Sequence, residues 1–358
     1  MFTKYISGLL VVAVVSFSCT DTSVNTIGGG TGSSNVWLIP ESQVVDAGPG
    51  KDGIPSIDNP KFSSTSNVAY NIQDDDLVVG VRVGDNIRAY PHGVLDWHEI
   101  VNDHVGNSTL SVIYCPLTGS ATTWSRHLSS GSTTFGVSGL LFNSNLITYD
   151  RSTDSYWSQM MLKSVRGQHM DEDAELITTI ETRWDTWKAM YPESKFLTLD
   201  TGFDRPYGNY PYGNYKTNDQ LLYPVAHEDD RLRRKERIHG TIVGRESRVF
   251  QIDAFPDTIH TINDTYHGNQ FVTVGSSKLD FVAAYERTLD DGTVLEFNPI
   301  QDRLPAVMKD GEGTLWDAFG YAVEGPREGT QLNQARSYIA YWFAWAAFFP
   351  GADIHEPK

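Results

Sequence analysis

Apolar and polar positions alternate in short runs along most of this chain. LVVGVRVGDNIRAYP (77–91) has two alternating arms around Gly84-Asp85 and predicts a β-hairpin. STLSVIYC (108–115), GSATTWSRH (119–127), TTFGVSGLLF (133–142) and LITYDR (146–151) are further strand-like runs, broken by Gly, Pro and Ser. Helical spacing appears in three places. Ile180, Trp184, Trp187 and Tyr191 recur every three or four residues and predict a helix that ends at Pro192. VLDWHEIVND (94–103) predicts a short helix with Val94, His98 and Val101 on one face; on such a helix Asn102 would orient the His98 ring, and Glu99 would point about 100° away. YIAYWFAWAAFF (338–349) is too short to span a bilayer and reads as a buried helix.

The pattern also matches itself at long range. WDTWKAMYPESKF (184–196) and WFAWAAFFPGADI (342–354) share W-x-x-W-x-x-x-[YF]-P. VGDNIR (83–88) answers VGRESR (243–248), and IVND (100–103) answers TIND (261–264), in the same order. The expected architecture is therefore β-rich α+β, built as two tandem, internally duplicated units over 37–200 and 239–358. A Tyr/Gly/Pro-rich connector (201–238) joins them, including TGFDRPYGNYPYGNYKTNDQ. It reads as an aromatic loop packed over a sheet, with a sugar-stacking surface as the alternative.

Composition narrows the setting. The 358 residues are 40% hydrophobic, with nine Trp and seventeen Tyr, enough for a packed core. The net charge of -17 repels phosphate backbones and argues against nucleic acid as a partner. MFTKYISGLLVVAVVSFSC (1–19) has a lysine, an apolar run and a cysteine, the layout of a secretory signal peptide ending in a lipobox-like Cys19. Residues 20–36 then read as a flexible linker. The expectation is a lipoprotein of the cell envelope, anchored to the membrane by lipid on Cys19, with plain secretion as the alternative.

Lipidation of Cys19 would leave Cys115 without a disulfide partner, unusual for an exported protein. Residues present in both copies, such as Asn102/Asn263, Asp103/Asp264 and Trp187/Trp345, serve the common scaffold. Those in one copy alone are better functional candidates. Cys115 aligns with Ser276 or Ser277, and His98 with Ile259, so only the first copy has both thiol and imidazole. Pro116 and Gly119 end the strand and set Cys115 at its mouth. A small core hydrophobe is the plain alternative. Arg151 is a candidate for holding an anionic substrate, or else half of a structural pair with Asp150.

Taken together, AYPHGVLDWHEIVND, YCPLTGSA, FGVSGLLFNSNLITYDRSTDSYWSQ and RPYGNYPYGNY make the chain resemble the domain of unknown function 3179 family, from about residue 70 to near the C-terminus. The family's characteristic segments include His98, Cys115, Ser138 and Arg151 as they stand here; the resemblance implies no activity. Three functions compete. In the first, Cys115 and His98, with Glu99, His92 or His169 as further donors, bind copper or zinc or act in redox chemistry. In the second, Cys115 is a nucleophile with His98 as base in a hydrolase or transferase. In the third, the protein is a non-enzymatic surface lipoprotein that recognises a glycan or another protein, and Cys115 is core.

Overall fold

The computed structural model describes residues 36–68 and 71–356; the expected signal peptide, Cys19 and the expected linker up to residue 35 lie outside them. The alternating runs form strands. β1 (Leu77–Val83) and β2 (Asn86–Pro91) make the expected hairpin, with Gly84 at φ 57° in its turn. Then follow α1 (His92–His98), β3 (Ile100–Val105), β4 (Ser108–Cys115) and β5 (Ser120–Ser125), the three strands forming an antiparallel meander. β6 (Phe135–Phe142) and β7 (Asn145–Asp150) form a second hairpin, and β8 (Thr179–Arg183) leads directly into α2 (Trp184–Met190).

A matching series follows the connector. β9 (Arg237–Val243) and β10 (Glu246–Gln251) pair as β1 and β2 do. β11 (His260–Tyr266), β12 (Asn269–Ser276) and β13 (Phe281–Glu286) form another meander. β14 (Ser337–Tyr341) runs into α3 (Trp342–Phe348) and pairs with β9, as β8 pairs with β1. The fold is thus β-rich, with three seven-residue α-helices among the described residues.

Two helix expectations need correction. The predicted helix around His98 stops at that residue. Glu99 turns the chain at φ 57°, ψ -34°, and Ile100 already starts a strand, because Ile100 to Val105 are paired along β4. Asn102 therefore lies on β3, where it bonds the backbone of Phe135 rather than the His98 ring. The helices predicted from Ile180 and from Tyr338 begin only at Trp184 and Trp342. Residues 179–183 and 337–341 are strands, claimed by edge pairing with β1 and β9.

The residues shared by the two series make the same contacts. The Asn102 and Asn263 amides each donate to a phenylalanine carbonyl, Phe135 or Phe297, at 2.8 Å, and accept that residue's N–H at 2.9 Å. Arg88 pairs with Asp103, and Arg248 with Asp264. The Trp157 indole donates to Asp150 and the Trp316 indole to Asp310. A Cβ on Gly80 would lie 1.9 Å from the Trp187 ring, and one on Gly240 would lie 2.0 Å from Trp345.

Neither series buries its apolar surface alone. One cluster joins Ile113, Trp124 and Trp157 to Ile238, Trp342 and Trp345. Another joins Val78, Ala89 and Trp187 to Val272, Phe281 and Trp316. The described residues accordingly cluster as a single unit.

Candidate functional site

Cys115 is the last residue of β4 and is 1% exposed, within the apolar cluster of Ile113, Leu117 and Leu146. Its sulfur lies 3.9 Å from the Ser144 carbonyl. Burial, and then the neighbouring Glu99 charge, push its pKa up to about 11. Such a thiol stays protonated at neutral pH, whereas nucleophiles and metal ligands act as thiolates. Ser276 ends the equally long β12 but points its hydroxyl to the Asp257 carbonyl at 2.7 Å.

His98 is engaged away from the thiol. Its Nδ1 lies 2.7 Å from the Pro55 carbonyl and its Nε2 lies 2.6 Å from the Tyr207 hydroxyl. Burial lowers its pKa, so it is neutral in the fold. The other proposed donors are also engaged elsewhere. His92 Nε2 lies 3.1 Å from Glu181, while His169 bonds Glu172 at 2.7 Å and Ser130 at 2.8 Å. Among the described residues, no three His, Cys, Asp or Glu side chains converge to hold a metal ion.

Glu99 is the residue brought to Cys115. Its positive φ ends α1 and turns the carboxyl inward. It lines an apolar cavity of about 170 Å³ with Leu117, Val137, Leu141, Leu146, Tyr212 and Tyr223. Among the described residues, the only group bonded to its carboxyl is the Tyr212 hydroxyl, which donates at 3.5 Å. Burial raises its pKa to about 8; the Tyr212 bond opposes that shift, and the charge of Asp96 adds to it. The cavity therefore contains a carboxylic acid that is protonated at neutral pH and, among the described residues, has no cation beside it. Nothing in the local sequence flags this, because helical spacing directs Glu99 elsewhere. The signal that could have found Tyr212 is the repeated YGNY.

Two segments wall the cavity. Residues 47–58 lie across β6, with Ala47 N–H bonded to Gly139 O and Asp52 N–H to Val137 O. Gly139 is needed there: at φ 81°, a Cβ would lie 2.7 Å from the Gly50 backbone. Arg151 clamps this segment through Asp52 and Asp58, both at 3.1 Å, and Ser56 at 2.9 Å. It is not among the cavity-lining residues, so its contacts are those of a structural anchor. The connector forms the other wall, and its tyrosines point inward. Tyr215 donates to Leu117 O at 2.9 Å, Tyr210 to Pro116 O at 3.3 Å and Tyr223 to Ala47 O at 3.1 Å. Lys235 gathers the carbonyls of Tyr215, Asn218 and Gln220 at 2.5–2.7 Å.

These features define a β-rich protein with a lidded apolar cavity around one unpaired buried carboxyl. The chain belongs to the family described as protein of unknown function DUF3179, whose model matches residues 51–352. No curated protein and no solved structure matches it.

Two outcomes follow from the site. The Cys115 thiol should resist Ellman's reagent at pH 8 in the native protein and react only as the chain unfolds; rapid stoichiometric labelling of native protein would contradict the buried placement. For Glu99, the folded protein holds a proton between its ordinary value near 4.5 and about 8, whereas the unfolded chain does not. Stability should therefore fall as pH rises through that window, by ~1 kcal/mol per pH unit from this group. Glu99→Gln should gain on the wild type from pH 5 to 8 in denaturant titrations. Parallel stability curves would show that Glu99 ionises normally.

Proposed function

We propose that this protein is a non-enzymatic binding lipoprotein of the cell envelope that takes a small apolar amine in the Glu99 cavity. The observation that carries this reading is a buried carboxyl with no cation beside it, in an otherwise apolar cavity. A cavity of ~150 Å³ suffices for a benzene-sized body, and an ammonium group on that body supplies the missing countercharge. The chain's net charge of -17 favours cations over anions at its surface. A buried, protonated Cys115 and a His98 engaged by Pro55 and Tyr207 weigh against a thiolate nucleophile, and equally against a Cys/His metal or redox centre. The inward hydroxyls of the connector tyrosines weigh against a glycan-stacking face.

Two further readings belong to this proposal. The matched Asn–Phe clamps and Gly–Trp contacts support descent of the two series from a tandem duplication, with only the first retaining the cavity. The apolar run before Cys19 supports lipidation there. Cys19→Ser should move the protein from the membrane to the soluble fraction; unchanged membrane retention on fractionation would remove the anchor from the proposal.

Calorimetry with benzylamine tests the ligand class. Binding with a dissociation constant of ~0.1–1 mM is expected. At pH 7 it should release protons, because the bound ammonium ionises Glu99, and the release should vanish above about pH 9. Glu99→Gln should abolish proton release and weaken binding about tenfold or more. Ile54→Trp, at the cavity wall, should block entry. Equal affinity for toluene and benzylamine, unaffected by Glu99→Gln, would overturn the reading, as would no binding at all.

A further inference from the structure

The two meanders differ at their outer edges. β3 lies at the edge of its sheet, but residues 55–58 run beside it. Ile57 bridges Val101 in parallel: its N–H donates to Ile100 O at 2.9 Å, and its carbonyl accepts Asn102 N–H at 2.8 Å. The Ile57 side chain is 1% exposed and packs in a cluster with Tyr90, Val101 and Leu197. One short segment thus satisfies the edge and fills the apolar hollow beside it.

β11 is the edge strand of the second meander, and among the described residues its backbone pairs only with β12. Thr261 faces Val274 and Asn263 faces Val272, as Ile100 faces Ile113 and Asn102 faces Ser111. The Thr261 carbonyl and the Asn263 N–H therefore point outward, like the two groups that bond Ile57. Among the described residues, no strand pairs with them. Instead there is an open groove of about 400 Å³, lined by Phe250, Phe255, Ile262, His260 and His355. Phe250 and Ile262 stand where Tyr90 and Val101 enclose Ile57.

We propose that this groove binds an extended segment of a partner protein by strand addition parallel to β11, with an aliphatic residue over Ile262 followed by a lysine or arginine. Main-chain bonds to Thr261 and Asn263 supply the pairing, and the apolar hollow selects the side chain. The basic residue follows from charge. A parallel strand proceeds from His260 toward Asp264, where Asp264, Asp353 and Glu356 line the adjoining hollow with Arg248 as its one arginine or lysine. Arg248 is paired to both Asp264 and Asp353. The first meander places Asp58 at this point because Arg151 and Asn102 receive it. In the second meander Asn263 holds Phe297 as Asn102 holds Phe135, but Gly311 follows Asp310 where Arg151 follows Asp150, so the arginine that receives the acid is replaced.

The probe is a synthetic peptide of residues 53–60 carrying Asp58→Lys, added to the full chain and followed by amide hydrogen exchange. Saturable binding is expected, with exchange at Asn263 slowed at least about tenfold. Ala254→Trp, at the exposed mouth of the groove, should abolish both effects while leaving the melting temperature unchanged. A peptide that also carries Ile57→Asp should not bind. The proposal is overturned if ~1 mM peptide leaves Asn263 unprotected, or if the Ile57→Asp peptide protects it equally. Protection that persists in a normally folded Ala254→Trp variant would also overturn it. Protection of β11 that rises with protein concentration, with a dimer in sedimentation, would assign the edge to a second copy instead.

Discussion

Two close contacts between an indole and a glycine hold this architecture together. Trp187 covers Gly80 on β1 and Trp345 covers Gly240 on β9, each ring taking the space of a Cβ. A strand glycine is costly in isolation, since it adds chain entropy and no packing surface. Here it lets a large ring lie flat on the sheet, which fixes the short helix carrying it. Each indole N–H is also satisfied, Trp187 by Ser194 and Trp345 by Ser247. Helices of seven residues have little stability of their own. Their rings then extend into clusters supplied by the other series, so each sheet is buried only when both are present.

Within this interior, burial alone does not decide the state of a carboxyl. Glu181 and Glu99 are both buried, and burial raises the pKa of each. Glu181 then meets Arg237 at 2.6 Å, with His92 nearby, and is drawn down to about 2. Glu99 meets only a tyrosine hydroxyl and stays near 8. Asp96 is raised by burial too, while Lys216 at 3.1 Å opposes the shift. The first arrangement ties β8 to β9 as a structural ion pair. The second leaves an acid facing a cavity.

Much of the scaffold was legible in the sequence, and the site was less so. Period-two alternation located the hairpin at Gly84 and the strand ending at Cys115, because those runs are buried on one or both faces. The two W-x-x-W segments misled in part. Ile180 and Tyr338 sit at helical distance from the tryptophans, yet edge pairing with β1 and β9 outweighs spacing. His98 looked like the partner of Cys115 because both are absent from the second series. The charge that reaches the thiol is that of Glu99, which is turned inward by a positive φ that a non-glycine residue adopts under tertiary constraint. Neither that turn nor the inward path of the connector is encoded in local periodicity. Arg151 pairs not with the neighbouring Asp150, as the sequence suggested, but with Asp52 and Asp58 from a segment almost a hundred residues away, a contact local reading does not reach.

The difference between the two series lies in what joins otherwise matched strands. Between β2 and β3 the chain forms a full helical turn and more, ending in Glu99; between β10 and β11 it makes only a three-residue 3-10 turn, Ile252–Ala254. His260 stands at the position of Glu99 and is exposed. The helix closes one side of the first series, while the segment through Ile57 closes the other, and the Glu99 carboxyl faces a covered, largely apolar cavity. The second series lacks both covers among the described residues, and its strand edge and apolar groove face solvent. The same strand framework thus encloses a chemical group in one series and presents a backbone edge in the other, and the distinction comes from loops and not from the sheets themselves.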